Sequence, residues 1–321
     1  MVVIMNIFSR QKPIKMLIGT DWWTDCDDAV AMRILTRAHK KEMIEILGIG
    51  MNACTEYSAV SLDAFMRSEG LPNIEIGIDH DATDFGGHPP YQERLSKLPS
   101  KYKSNLDCDD AVLLYRRILA KAEEKIDIIE IGFPQILSNL LLSKPDDSSD
   151  LSGAELVLQK VNKLWVMAGK WDDLETGTEH NFAHNKRARV AANYLCQHWP
   201  TPITFLGWEI SNEILTGDNL KKDDILYNVL CDHGSPNGRS SWDPMLVLMA
   251  CINDEKQAGY STVCGTAFVE SDTGMNHFSF DSRGLHKFVV KDFCDDFYKQ
   301  AINDIIATCV AECPDESPSK G

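Results

Sequence analysis

The sequence is short of basic residues. Lys and Arg number 32 against 48 Asp and Glu in 321 residues, which leaves a formal net charge of −16 at pH 7. Nucleic acids and anionic membranes are bound by basic faces, so we expect neither as a partner. The chain also lacks a run of the roughly 18 apolar residues that a membrane span needs, and its apolar start has no basic leader or small-residue cleavage site. We therefore expect a cytoplasmic protein.

Paired cysteines are missing as well. The ten Cys residues form no CxxC pair, and no histidines follow them at zinc-finger spacing. A structural zinc site is therefore not expected. Most of these cysteines lie in apolar runs, which is typical of small buried side chains in a reducing compartment.

No Pro/Gly/Ser-rich linker and no repeat divides the chain. Short β-branched runs alternate with helical patterns, which predicts parallel strands joined by crossover helices. We expect one α/β domain over residues 15–312, an open, mostly parallel twisted sheet with helices on both faces. Residues 1–14 would be an N-terminal extension and 313–321 a disordered tail. Within the domain we predict a long loop with a partial helix at 79–104, a helix at 108–124, a further loop near 227–240, a β-hairpin or meander at 261–290 and a final helix at 291–311.

An acidic cluster follows the first predicted strand. Asp21, Asp25, Asp27 and Asp28 fall within eight residues. Two of them can be explained by a helix N-terminus, where the dipole favours acids, but Asp21 still belongs to the strand end. Acids packed together repel unless a cation or a hydrogen-bonded ligand compensates them. Oxygen-only ligands indicate Ca²⁺ or Mg²⁺. A later acid, Asp243, precedes Pro244, and helix capping and metal ligation are both open for it.

These residues resemble a known family. The block from Asp21 to Ala29 is similar to the N-terminal aspartate motif of the inosine–uridine-preferring nucleoside hydrolases, in a longer form that carries Asp25 as an extra acid. Further blocks follow in the family's order over residues 15–255. They are Gly50-Met51-Asn52, Ile131-Gly132-Phe133-Pro134-Gln135, Met167-Ala168-Gly169, Glu179-His180-Asn181-Phe182 and Trp242-Asp243-Pro244.

The resemblance implies a Ca²⁺-dependent N-ribohydrolase that cleaves the N-glycosidic bond of a nucleoside or related riboside, as in purine or pyrimidine salvage. It implies one Ca²⁺ per site and a homo-oligomer, a dimer or tetramer. The implied metal ligands are the carboxylates of Asp21, Asp28 and Asp243 and the main-chain carbonyl of Gln135. Asp21 would also take the proton of the attacking water, and an oxocarbenium-like charge would develop on the ribose.

The resemblance also implies a substrate pocket. Asp27 would bind a ribose hydroxyl, Asn52 the 3′ side, and Glu179 and Asn181 the 5′ end, with Trp242 beside the base. Other interpretations stay open at this point. Asn52 could serve a turn, Glu179 and Asn181 could lie in a surface loop, and Trp242 could belong to the core.

The chain departs from the family pattern in three ways. Gly19 stands where the shorter motif has another Asp, Trp22-Trp23 replaces a small turn, and Trp242 stands where some members have a His near the leaving base. An indole has no titratable proton at neutral pH, so the source of the leaving-group proton is open. The candidates by motif proximity are His80, His88, His180, His184 and His233.

Two other functions remain possible on the sequence alone. A riboside or nucleotide-sugar binding protein could keep the metal and lack turnover. A Mg²⁺-dependent phosphohydrolase could use the acids after the first strand, although the chain shows no glycine-rich phosphate loop.

Overall fold

The computed structural model describes residues 12–307. Most of the predicted N-terminal extension, the end of the predicted last helix and the predicted tail lie outside these residues. In the described part, no helix combines the length and apolar character that crossing a membrane requires.

A sheet of ten strands forms the centre of the molecule, in the order β11-β10-β12-β7-β6-β5-β1-β2-β3-β4. Strand β10 runs antiparallel to β11 and β12, and the other neighbouring strands are parallel. The strands are Ile14–Thr20 (β1), Ile44–Met51 (β2), Ile76–Ile78 (β3), Asp109–Asp110 (β4), Ile126–Glu130 (β5), Val161–Met167 (β6), Ile203–Leu206 (β7), Leu215–Thr216 (β8), Arg239–Ser240 (β9), Tyr260–Val269 (β10), Asn276–Phe280 (β11) and His286–Lys291 (β12). Strands β8 and β9 form a separate antiparallel pair.

Helices cover both faces of the sheet. They are Asp27–Lys40 (α1), Ser58–Ser68 (α2), Gln92–Leu95 (α3), Ala111–Lys121 (α4), Gln135–Leu142 (α5), Gly153–Lys160 (α6), His180–Ala183 (α7), Lys186–His198 (α8), Trp208–Ser211 (α9), Ile225–His233 (α10), Trp242–Ile252 (α11) and Asp295–Ala307 (α12), with a 3₁₀ turn at Asn105–Asp107. Successive side chains of β1 point to opposite faces of the sheet. Met16 and Ile18 belong to the hydrophobic cluster on one face, and Leu17 belongs to a second cluster on the opposite face. The predicted fold class is therefore confirmed.

The position of β1 determines where a ligand can bind. From β1 the chain first builds the sheet outward through β2, β3 and β4, and then returns to place β5 on the other side of β1. The sheet thus reverses direction between β1 and β5. In open α/β sheets ligands bind at such a reversal, outside the carboxyl ends of the strands.

Several predicted boundaries need correction. Lys291 does not begin the last helix, because it is paired with Tyr260 as the final residue of β12, and the helix begins at Asp295. The predicted helix at 108–124 starts only at Ala111, because Asp110 accepts hydrogen bonds from the first helical N–H groups. The meander predicted at 261–290 is confirmed as strands β10 to β12.

Two helices of eight or more residues were not predicted from the sequence. Helix α6 begins at a capping box, in which Ser152 and Glu155 each accept a hydrogen bond from the other's backbone N–H. Helix α10 replaces part of the loop expected at 227–240. It is capped by Asp224 and ends at Gly234, whose φ is 89°. Both helices carry recognisable start or stop signals.

Candidate active site

A cavity of about 270 Å³ opens at the carboxyl ends of β1, β5 and β6. We call it the acidic cavity, because six carboxylates line it, those of Asp21, Asp25, Asp27, Asp28, Glu179 and Asp243. Its wall also includes His180, Arg239, Trp23, Trp208 and Trp242. Seven of the residues predicted for the site therefore share one cavity. They are Asp21, Asp27, Asp28, Glu179, Asn181, Trp242 and Asp243.

Three of the acids form a compact group, which we call the carboxylate cluster. Oxygen atoms of Asp27, Asp28 and Asp243 lie within 4.8 Å of one another, and all three side chains are buried. The first turns of α1 and α11 meet here, and the backbone N–H of Asp243 donates to Asp27 Oδ2 at 3.2 Å. Asp28 is held by the hydroxyl of Thr20 and by the N–H of Trp22. Residues more than 200 positions apart are thereby brought together by the packing of two helices.

Burial and mutual repulsion disfavour the charged forms of these acids. Burial first, and then the neighbouring carboxylates, raise the pKa of Asp27 and Asp243 well above the ordinary value. The pKa of Asp21 is raised in the same way, by burial and then by Asp28 and Asp27. For Asp28, burial raises the pKa to about 6 against the hydrogen bonds from Thr20 and Trp22. A group of buried carboxylates with only oxygen donors fits a hard divalent cation, which would keep them ionised.

The extra acid of the motif has a separate role. Asp25 faces Arg239, whose Nε and Nη2 donate to its two oxygens at 2.8 and 2.5 Å. Burial raises the pKa of Asp25, but the hydrogen bonds and charge of Arg239 outweigh that effect and leave it below the ordinary value. Asp25 therefore stays ionised without a metal, as the partner of an arginine at the edge of the acidic cavity.

An aromatic wall faces this ion pair. The Arg239 guanidinium lies 5.1 Å from the Trp242 ring centroid. The Trp242 and Trp208 rings are 6.5 Å apart and within 25° of parallel, and Trp242 Nε1 donates to the Trp208 carbonyl at 2.9 Å. Trp242 is thus fixed at the cavity wall by a hydrogen bond, a near-parallel ring and a cation.

Glu179 and Asn181 are anchored at the end of β6. The Glu179 carboxylate accepts hydrogen bonds from the N–H groups of Asn181, Gly169 and Phe182, at 2.7, 3.0 and 3.3 Å. The Asn181 amide donates to the Met167 carbonyl at 2.9 Å. Burial raises the pKa of Glu179 to about 7, against those backbone hydrogen bonds. Both side chains are buried, so the surface-loop interpretation is wrong.

Asn52 and Gln135 occupy a different position. Neither lines the acidic cavity. Asn52 is fully buried. Its Nδ2 donates to Glu130 Oε1 at 2.7 Å, and its Oδ1 accepts from the N–H of Phe133 at 2.9 Å. The Gln135 side chain donates to the Asn52 carbonyl. The structure thus gives both side chains hydrogen bonds that join β2 to the segment after β5, and their ligand roles stay predictions.

Glu130 is the main residue that the sequence analysis missed. It pairs with Gly19 across the β1–β5 ladder, and a Cβ atom on Gly19 would lie 2.2 Å from Glu130 Oε2. The carboxylate therefore fills the space left by the missing side chain at position 19. Burial raises the pKa of Glu130 to about 8, although Gly132 N–H and Asn52 donate to it. An acid that ends an otherwise mostly apolar strand was the available signal.

The fold is shared with solved structures of nucleoside hydrolases. An inosine-guanosine nucleoside hydrolase aligns with a TM-score of 0.64 at 15% identity, over 92% of this chain and 99% of the other. An inosine-uridine preferring nucleoside hydrolase from Bacillus anthracis aligns with a TM-score of 0.65 at 15% identity, over 92% and 99%. The type III effector protein XopQ, complexed with adenosine diphosphate ribose, aligns with a TM-score of 0.69 at 13% identity, over 95% and 97%.

Comparison with family profiles and curated sequences does not detect this likeness. No protein-family profile matches the chain, and no curated protein sequence matches it. The predicted resemblance is therefore confirmed as a likeness of fold, at a level of identity that a divergent member of the family would show.

Proposed function

We propose that this chain is a metal-dependent N-ribohydrolase that releases ribose from a nucleoside or a related riboside. The carboxylate cluster carries the proposal, because it places three buried acids within 4.8 Å at the sheet reversal where such folds bind ligands. Two of the fold relatives are named as nucleoside hydrolases. The likeness in fold, the order of the motifs and the acidic cavity support the same activity.

The cation would be held by carboxylate oxygens. We propose Ca²⁺ on Asp21, Asp28 and Asp243 and on the main-chain carbonyl of Gln135, with the remaining positions left for water and ribose hydroxyls. When bound, the ion would supply positive charge that makes a nearby water more acidic and orients the sugar. Asp27, whose carboxylate lies between Asp28 and the start of α11, is close enough to the cluster to bind either the ion or a ribose hydroxyl.

The chain's own groups would perform the rest of the reaction. Asp21 would accept the proton of the water that attacks the anomeric carbon. The surrounding carboxylates would stabilise the oxocarbenium-like charge on the ribose as the glycosidic bond breaks. Glu179 and Asn181, fixed to the end of β6, would hold the 5′ end. Trp242 and Trp208 would offer aromatic surface to the base.

One relative favours a second candidate function. XopQ has been solved with ADP-ribose bound, so a riboside-binding protein without turnover can be considered for this chain. The predicted phosphohydrolase has no comparable support from the fold relatives.

A reducing-sugar assay separates these functions. The purified chain is incubated with inosine or uridine, first in Ca²⁺ and then after removal of the ion by a chelator. Ribose release that is lost on chelation and restored by Ca²⁺ supports the hydrolase. The binding protein is supported if calorimetry detects riboside binding while no sugar is released. Phosphate release from a phosphomonoester with Mg²⁺ would favour the phosphohydrolase.

Asp243→Asn should abolish ribose release, and wild-type turnover in that variant would contradict the proposal.

Several finer predictions accompany this function. The identity of the metal as Ca²⁺, the role in nucleoside salvage, the homo-oligomeric state and the cytoplasmic location each stay predictions. Size-exclusion chromatography with light scattering tests the oligomeric state directly.

A further inference from the structure

The proposed hydrolysis leaves one chemical requirement unassigned. A purine or pyrimidine leaves with the electron pair of the broken C1′–N bond and needs a proton to depart as a neutral base. Trp242 cannot provide it, because its only N–H is donated to the Trp208 carbonyl at 2.9 Å and an indole does not titrate near neutral pH. If the proposed function holds, the proton must come from another group of the acidic cavity or from solvent water.

Among the five histidines suggested by the sequence, only His180 lines the acidic cavity within the described residues. His80 is turned to the Cys108 carbonyl, and His88 lines a different cavity. His184 contacts the Phe85 carbonyl through Nε2. His233 contacts Ser235 through Nδ1 and lies behind Asp25, with its Nε2 3.7 Å from Asp25 Oδ1. The structure thus reduces five candidates to one.

The His180 ring is held in place without its nitrogen atoms being used. It stacks on Trp23 with centroids 5.8 Å apart and planes within 20°, and it lies 5.7 Å from the Phe133 ring. Neither ring nitrogen of His180 forms a hydrogen bond within residues 12–307. In contrast, His80, His184 and His233 each form a hydrogen bond through a ring nitrogen, and His88 lines another cavity. Stacking fixes the plane of the imidazole and leaves its N–H groups for a ligand.

We propose that His180 is the catalytic general acid, which protonates the leaving base of the riboside. The C1′–N bond breaks heterolytically, its electron pair goes to the base, and the imidazolium of His180 gives the base a proton. Water adds to C1′ and loses a proton to Asp21. Transfer of that proton to solvent, and of one from solvent to His180, restores both groups. The net change is riboside plus water to ribose plus free base, so atoms and charge balance.

The charged groups around His180 set its pH dependence. Burial first, and then His184, which directly follows the same short helix, lower the pKa of His180, while Asp25 of the loop after β1 raises it. Arg239, the partner of Asp25, is the cation on the facing wall. Cleavage of ribosides with poor leaving groups should therefore rise as the pH falls through the range below about 6.5, the ordinary pKa of His.

Two substrates test the assignment. Inosine needs a protonated leaving group, whereas p-nitrophenyl riboside releases a phenolate that needs none. In Ca²⁺, His180→Gln should lower kcat for inosine roughly 10²- to 10⁴-fold, the usual contribution of a general acid, and leave kcat for the phenyl riboside within about threefold. His180→Phe keeps an aromatic ring against Trp23 and should show the same split. In both variants the rise of inosine cleavage at low pH should disappear. His198→Gln, at an exposed histidine that ends α8, is the control and should leave both rates unchanged.

The outcomes distinguish this inference from the function on which it rests. If the wild-type protein cleaves both substrates and the His180 variants lose both equally, or lose neither, His180 is not the acid. If the wild-type protein cleaves neither substrate, the proposed function fails and the inference with it. Circular dichroism and Ca²⁺ titration of the variants verify that fold and metal binding are retained.

Discussion

Replacing Glu130 by Gln should stabilise the protein at alkaline pH. The carboxylate is fully buried. Its Oε1 accepts hydrogen bonds from both Asn52 and Gly132, while Oε2 has no hydrogen-bond partner within the described residues. The oxygen of a glutamine amide can accept both hydrogen bonds, and its NH₂ would take the place of Oε2. Glu130→Gln therefore imitates the protonated acid, with the same shape and without the charge.

The magnitude follows from the pKa. Burial raises the pKa of Glu130 to about 8, against 4.5 for the ordinary group. One pKa unit corresponds to about 1.4 kcal/mol, so ionisation of the folded protein costs at most about 5 kcal/mol above pH 8. Because the folded state prefers the protonated form, the contribution to stability is complete below about pH 4.5 and is lost as the pH rises through about 8. The advantage of the glutamine variant should appear over the same interval.

Urea unfolding from pH 4.5 to pH 9 measures this difference. We expect equal unfolding free energies for wild type and Glu130→Gln at the acidic end, and a gain of several kcal/mol for the variant at pH 9. The exposed Glu123 provides a matched control, and Glu123→Gln should show no such trend. A difference between wild type and Glu130→Gln that is flat with pH, or that has the opposite sign, would refute the reasoning.

Two further substitutions test the contacts around the acidic cavity. Gly19→Ala places a methyl group 2.2 Å from Glu130 Oε2, and we expect about 1–3 kcal/mol of destabilisation in thermal unfolding. Adding Glu130→Ala to this variant should recover part of the lost stability. An unchanged melting temperature of the Gly19→Ala variant would contradict the described packing. Arg239→Lys removes the bidentate contact with Asp25 and the planar group beside Trp242. In steady-state kinetics the KM for inosine should rise about two- to fivefold, with kcat nearly unchanged. A fall in kcat alone would instead indicate that Arg239 acts on the chemical step.

Much of the fold could be predicted from the sequence because the pattern is local. Buried strands such as β1 and β5 read as continuous apolar runs, and the crossover helices show the helical period. Errors occurred where pairing or capping decides the boundary. Lys291 belongs to a strand only because Tyr260 lies beside it. Helix α6 depends on a capping box that the sequence analysis did not consider.

The site was predictable only as far as motifs extend. The sequence motifs were enough to predict four acids of the site. Asp21, Asp27 and Asp28 directly follow the first predicted strand, and Asp243 lies at the start of a later predicted helix. The partner of Asp25 could not be inferred, because Arg239 is 214 positions away. Glu130 required knowledge of the ladder between β1 and β5. The choice of His180 required the shape of the acidic cavity, because five histidines were equally plausible by proximity in the sequence.

Calcium titration by calorimetry tests the central claim most directly. The buried carboxylates of Asp27, Asp28 and Asp243 lie within 4.8 Å of one another, and the account predicts one Ca²⁺ per chain at this point. Asp28→Asn and Asp243→Asn should each weaken binding about tenfold or more, and Asp232→Asn at a surface ion pair should not. A wild-type chain that binds no calcium, or variants of the carboxylate cluster that bind it as tightly as the wild type, would contradict the account.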